Sequence, residues 1–159
     1  MAVRLGKYKI VTWRGVRLDK FSVRSLKWAQ ENAGFTFNPS QGSHNAGGVA
    51  ASGGTHDGGG AVDISTRGLT AVQKRKLLKA LKRAGWGAWL RTTDQGPWGE
   101  HIHAVQFANR KVSSGARAQL QSYDRGRNGL RDDGPDPTPW RPTVKRRFGF
   151  QADRPLKRK

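Results

Sequence analysis

The sequence predicts an α+β domain: a small antiparallel sheet packed by helices on one side. Three observations carry this. Residues 70–84 combine a capping box, Thr70-Ala71-Val72-Gln73, with an apolar stripe at helical spacing. Residues 61–64, 86–91 and 101–107 are short apolar or alternating runs that read as strands. Gly85 and the turn Gln95-Gly96-Pro97 separate these runs with helix-stop and turn chemistry.

Taken in order, residues 3–13 alternate loosely (Val3, Leu5, Tyr8, Ile10, Val11) and read as an extended arm. Asp19 is placed to cap a helix whose apolar face is Phe21, Leu26, Trp28 and Ala29, ending at Ala33-Gly34. Phe35-Thr36-Phe37 reads as a short strand. Residues 39–60 are dominated by Gly, Ser, Ala and Asn, the composition of a flexible linker. Two histidines and an aspartate within them, and a strand directly after them, mark a functional loop instead. In the helix opened by Thr70, the stripe is Leu69, Val72, Leu77, Leu78 and Leu81, and Lys74, Arg75, Lys76, Lys79, Lys82 and Arg83 cover the remainder. A last helix is expected over 114–125, with Ala116, Leu120 and Tyr123 inward. The Pro-rich run 133–139 sets the boundary between a domain of 1–133 and a linker and basic tail of 134–159.

The chain has 159 residues and a formal net charge of +19. Its length suits a single modest core, which the six Trp and six Phe can anchor. Zero Cys excludes disulfides, Cys-ligated zinc and thiol nucleophiles. No run of about 18 apolar residues exists, so no transmembrane helix is expected. The N-terminal residues lack a continuous apolar segment, so no secretory signal is expected. The charge calls for a polyanionic partner: nucleic acid, an anionic membrane or an anionic wall polymer.

The four histidines are His44, His56, His101 and His103. Asp63 lies in an apolar strand, where an unpaired carboxylate is costly. It needs an Arg, a network of donors or a metal ion. His56 lies across a Gly-rich turn that can fold back on that strand. His101 and His103 share one face of an extended strand, about 6–7 Å apart. Two imidazoles and a carboxylate suit a catalytic Zn2+ site, which uses three protein ligands and leaves a position for water. A His-x-His pair on a strand is also a common surface feature, and the joining of the two segments is what favours metal.

The run His56-x-x-Gly59-x-Ala61-x-Asp63 resembles the first motif of the zinc D-Ala-D-Ala carboxypeptidase/endopeptidase family (peptidase M15-like), and His101-x-His103 resembles the second motif of the wider lysostaphin/D-Ala-D-Ala/hedgehog superfamily. Gly47-Gly48-Val49 followed by Ser52 is similar to the loop before the first motif. The resemblance covers about residues 21–107. It implies a hedgehog/D-Ala-D-Ala peptidase-like sheet carrying a zinc site, with His56, Asp63 and His103 as ligands. It implies that His101 stabilises the transition state or assists proton transfer, and that Glu100 is the general base that activates the attacking water and then protonates the leaving amine. Two departures stand out: Ile102 occupies the place where many relatives have Trp, and Ser40-Gln41-Gly42-Ser43-His44 lacks the Arg with which relatives often bind a substrate carboxylate. The chain therefore fits an endopeptidase, or a carboxypeptidase whose anchor is changed to His44 or Gln41.

The expected activity is hydrolysis of an amide in the peptidoglycan stem peptide, as in bacteriophage endolysins or virion-associated lysins. Expected partners are peptidoglycan and anionic wall polymers, with a phage virion assembly as a further possibility. The expected location is the host cytoplasm and then the wall, or the virion. A tail or capsid module that keeps the fold with little catalysis is the first alternative. A nucleic-acid-binding protein is the second, because Trp140, Phe148 and Phe150 interleave with Lys and Arg in the tail.

Overall fold

A computed structural model describes residues 6–45 and 53–143. The family-like loop residues Gly47, Gly48, Val49 and Ser52, the arm residues Val3 and Leu5, and the tail beyond Thr143 lie outside the described residues.

After a 3-10 turn at Gly6–Tyr8, the chain forms β1 (Ile10–Trp13) and β2 (Val16–Asp19), paired antiparallel. Residues 10–13 of the expected arm are thus the first strand of a hairpin. Its two-residue turn, Arg14-Gly15, takes positive φ at both positions (48° and 82°), the twist that matches flanking strands. Helix α1 follows at Lys20–Ala33. Asp19 caps it by accepting from the Ser22 amide at 2.8 Å, and Gly34 ends it in the left-handed region.

The expected strand at 35–37 does not form. Phe37 instead packs edge-on against Trp13 at 6.0 Å as the chain turns into β3 (Pro39–Gln41). Two aromatics supply strand propensity, but a strand also needs a ladder partner, and only the next residues reach one. After β3 come β4 (Ala61–Ser65), α2 (Ala71–Arg83), β5 (Trp86–Arg91), β6 (His101–Gln106) and α3 (Ser114–Asp124). The capping box of α2 forms in full.

The main sheet is four-stranded, in the order β3-β4-β6-β5, and antiparallel throughout. Alternation sorts its side chains into two faces. Val62, Ile64, Ala88, Ile102 and Ala104 join Leu26 of α1 and Leu77 and Leu81 of α2 in the principal core. Val105, on the opposite face, packs with Ala116 and Leu120 of α3. Helices therefore cover both faces, not one: α3 lies over the β5–β6 end of the second face. Gly87 makes room for it, since a Cβ there would press on Leu120 and Tyr123 at 3.2–3.3 Å. That second face also carries Asp63, His101, His103, Trp89 and Arg91, with Trp89 and Arg91 buried.

Two residues of α2 depart from the expected stripe. Val72 is exposed. Lys82 is buried and donates to the carbonyls of Thr138 and Trp140. Arg141 binds Asp136 at 2.8 Å and the Tyr123 carbonyl at 3.0 Å. The Pro-rich segment up to Thr143, expected to leave the domain as a linker, lies against it. Among the described residues, no helix is long and apolar enough to cross a membrane.

Candidate metal centre

The segment before β4 is placed by backbone bonds on both sides. Its one side runs against residues 43–45, with His44 N donating to Gly58 O at 2.8 Å and Asn45 N to His56 O at 2.9 Å. Its other side meets the loop after β6, with Gly59 N donating to Lys111 O at 2.7 Å. These approaches explain the glycines. A Cβ at Gly58 would collide with the Lys111 carbonyl oxygen, and Gly60 takes φ +71°. The linker-like composition is thus the composition of a tightly packed turn that holds His56, only 2% exposed, against the sheet.

Pairing supplies the other groups. Asp63 of β4 stands opposite His103 of β6, and His103 stands opposite Trp89 of β5. His56, Asp63 and His103 offer ligand atoms that all lie within 4.8 Å of one another. Asp63 Oδ1 is 2.7 Å from His103 Nδ1 and 3.3 Å from His56 Nε2. His101 Nε2 lies 3.8 Å from Asp63 Oδ2. Trp89 stacks on the His103 ring at 6.1 Å, and Trp98 meets His101 edge-on at 6.2 Å.

Hydrogen bonds on the outer nitrogens fix how these rings present themselves. His56 Nδ1 is 2.7 Å from the Gly42 carbonyl, which can only accept, so Nδ1 carries the hydrogen and Nε2 faces the cluster. His101 is set the same way by the Gly99 carbonyl at 2.7 Å. For His103 the partner is Gln119 of α3. Its Nε2 donates to Gly129 O at 3.2 Å, so its Oε1 faces His103 Nε2 at 2.7 Å and accepts from it. His103 Nδ1 is thereby turned to Asp63.

The electrostatics follow from this crowding. Burial would raise the Asp63 pKa, but hydrogen bonds from His103 and His56 outweigh it and hold the carboxylate well below its usual range. Burial would lower the His56 pKa, but Asp63 outweighs it and raises it. For His103 burial dominates and the pKa falls. When both rings lose the inner proton, His103 Nδ1 and His56 Nε2 present lone pairs 2.7 and 3.3 Å from the Asp63 oxygen, in place of the hydrogen bonds they donate to it when charged. Three converging acceptors, each imidazole steadied from behind, are the donor set of a metal ion. With bonds of about 2.0–2.1 Å, tetrahedral N and O ligands stand about 3.3 Å apart. The His56–Asp63 pair already has that spacing, and the His103–Asp63 pair is shorter. The group could hold a metal ion.

The cluster lines a cavity of about 110 Å3 together with Gln41, Thr55, Arg91, Trp98, His101, Gln119 and Leu130. A wider groove of about 840 Å3, shared at Thr55, Trp98, Gln119 and Leu130, continues from it between the 95–98 loop, α3 and the 129–133 loop.

Of the five residues expected at the site, four come together. Glu100 does not. It precedes β6 on the side facing α2, where Lys74 Nζ and Thr66 Oγ1 hold its carboxylate, and it does not line the cavity. Those two bonds keep its pKa lowered. His44 also stays out: its Nε2 is 3.7 Å from Asp19, behind the loop. Sequence reading missed Gln119 and Arg91. A polar residue within the apolar stripe Ala116–Leu120–Tyr123 was the available signal for the first. Arg91 shares the odd-numbered face of β5 with Trp89, which only strand pairing could align with His101. Comparison of the chain with protein-family models, with curated proteins and with solved structures returns no match.

Proposed function

We propose that the protein is a zinc-dependent peptidase that hydrolyses an amide of the peptidoglycan stem peptide, of the M15-like, hedgehog/D-Ala-D-Ala type. The observation that carries this reading is the convergence of His56 Nε2, Asp63 Oδ1 and His103 Nδ1, in the motif order and spacing of those peptidases, in a cavity that shares lining residues with a wider groove. His56, Asp63 and His103 would hold the ion, and Zn2+ there supplies a Lewis acid for a carbonyl and lowers the pKa of a water.

The chain's own residues do the rest. Gln119 and the Gly42 carbonyl keep two ligand rings oriented. His101, with Nδ1 bound to Gly99 O, presents Nε2 to the cavity. It takes the proton of the water that adds to the scissile carbonyl carbon and returns it to the amine nitrogen as the C–N bond breaks. Glu100, tied to Lys74 and Thr66, is released from that role. The wide groove gives room for a peptide that extends beyond the reacting amide, which favours a stem-peptide substrate over a free dipeptide. The basic surface supports an anionic wall as the setting: α2 has six Lys and Arg, all but Lys82 at least partly exposed, and no acidic residue.

Mass spectrometry of peptidoglycan, digested with and without a chelator, tests the reading. Cleaved stem peptides that vanish with chelator and return with zinc are expected. Undiminished digestion by zinc-free protein would overturn it.

A further inference from the structure

Against the turn that carries His56 lies a buried polar cluster that the metal centre does not use. Asp19 is fully buried. Its Oδ1 accepts from the Ser22 amide at 2.8 Å and so caps α1. Its Oδ2 accepts from Asn109 Nδ2 at 3.0 Å, while His44 Nε2, at 3.7 Å, lies outside hydrogen-bond reach. Asn109 is 2% exposed. Its Nδ2 is also 3.1 Å from Gln106 Oε1, and its Oδ1 accepts from Lys111 N at 2.9 Å. Lys111 O in turn accepts from Gly59 N at 2.7 Å. The glycines of the turn rest on this cluster. A Cβ at Gly59 would stand 2.8 Å from Asp19 Oδ2, and one at Gly60 would stand 2.8 Å from Asn109 Cβ. Both glycines lie between His56 and Asp63 in the chain.

These bonds have a direction. A carboxylate only accepts, so Asn109 must turn its nitrogen to Asp19. A backbone N–H only donates, so Asn109 must turn its oxygen to Lys111. The buried carboxylate therefore sets the amide, the amide sets the loop after β6, and that loop sets the turn. Burying a carboxylate is costly, and Asn caps a helix as well as Asp does. The cap alone does not call for the charge, whereas the bond to Asn109 does. We propose that Asp19 and Asn109 are positioning residues for the metal centre, which fix His56 relative to Asp63 through Lys111 and Gly59. Neither lines the metal cavity, so they act on the ion through the backbone. This rests on the metal centre of the proposed peptidase, but the relay itself can be measured without metal.

The test compares the wild type, Asp19→Asn, and the exchange that combines Asp19→Asn with Asn109→Asp. The single change keeps a capping oxygen but turns a donor toward the Asn109 donor. The exchange puts the donor at position 19 and, at position 109, an acceptor that still takes the Lys111 N–H, so the relay is restored. Zinc affinity, read by competition with a chromophoric chelator, should fall about 10–100-fold in the single variant and return to within about threefold of wild type in the exchange. Hydrogen exchange of the Gly59 amide, read by NMR in the zinc-free chains, should speed up at least about tenfold in the single variant and slow again in the exchange. The Asn109 side-chain N–H protons of the wild type should be protected, a readout that serves even if the single variant does not fold. An unchanged zinc affinity or Gly59 exchange rate in the single variant, a loss that the exchange does not restore, or unprotected Asn109 protons would overturn the proposal. A wild type that holds no zinc would sink the metal reading alone, since Gly59 reports the relay without it.

Discussion

Gln119 decides which nitrogen of His103 faces Asp63. Its own orientation is set by the Gly129 carbonyl, so one amide links α3, the 126–134 loop and the metal centre. Gln119→Ala should weaken zinc binding by about 10–100-fold with the fold intact, measured by competition with a chromophoric chelator. Protons compete for the same site. His56 holds its proton above the ordinary value of 6.5, so it is the first ligand to be blocked on acidification. Zinc affinity should therefore fall as pH drops from 8 to 6, with proton release on binding, read by calorimetry in two buffers. What could be read in the sequence at this scale was local. His56 and Asp63 are joined by fixed spacing through Gly58–Gly60, and His101 and His103 by strand parity. Gln119 and Arg91 reach the site through tertiary approach, which spacing does not encode. Glu100 was assigned by its place three residues before His103 in the motif, and spacing could not foresee that Lys74 and Thr66 hold its carboxylate away from the cavity.

At the scale of elements, α2 was the most legible, because capping and stripe agree with each other. Leu81, fully buried in its last turn, should cost about 2–5 kcal/mol when cut to Ala, seen as a lower urea midpoint with an unchanged slope. Periodicity cannot see Lys82, whose partners come from residues 138 and 140. Burial lowers its pKa to about 8 against 10.5 for a free lysine. Between those values the unfolded chain binds more protons than the folded one, so stability should rise with pH from about 8 to 10.5. Lys82→Met should flatten that rise in thermal melts taken across the range. The missed strands have a similar origin. The sequence reads β1 as part of an arm over 3–13 and offers no strand at 16–19, because the turn Arg14-Gly15 lacks the usual Asn or Asp, and Phe35–Phe37 looks extended without having a partner.

Among the described residues, the helix richest in cations and the candidate site lie on opposite sides of the main sheet. The site is built on the open face of the four-stranded sheet, and α2 carries its cations on the other side of that sheet. Under the proposed reading, the exposed cations of α2 serve attachment to the anionic wall. Binding to purified walls should weaken steeply as salt rises from about 50 to 500 mM, while hydrolysis of a short soluble stem peptide changes little, as screening of exposed charge requires. The α+β class was legible because alternation and helical stripes are repeated signals. Helices on both faces were not, since nothing in α3 states which face of the sheet it covers. All of this depends on one claim, that His56, Asp63 and His103 form a metal centre. Equilibrium dialysis against zinc, followed by elemental analysis of wild type and Asp63→Asn, tests it most directly. The account predicts about one zinc per wild-type chain and none retained by the folded variant. A folded wild type that holds no zinc, or a variant that holds as much, would contradict it.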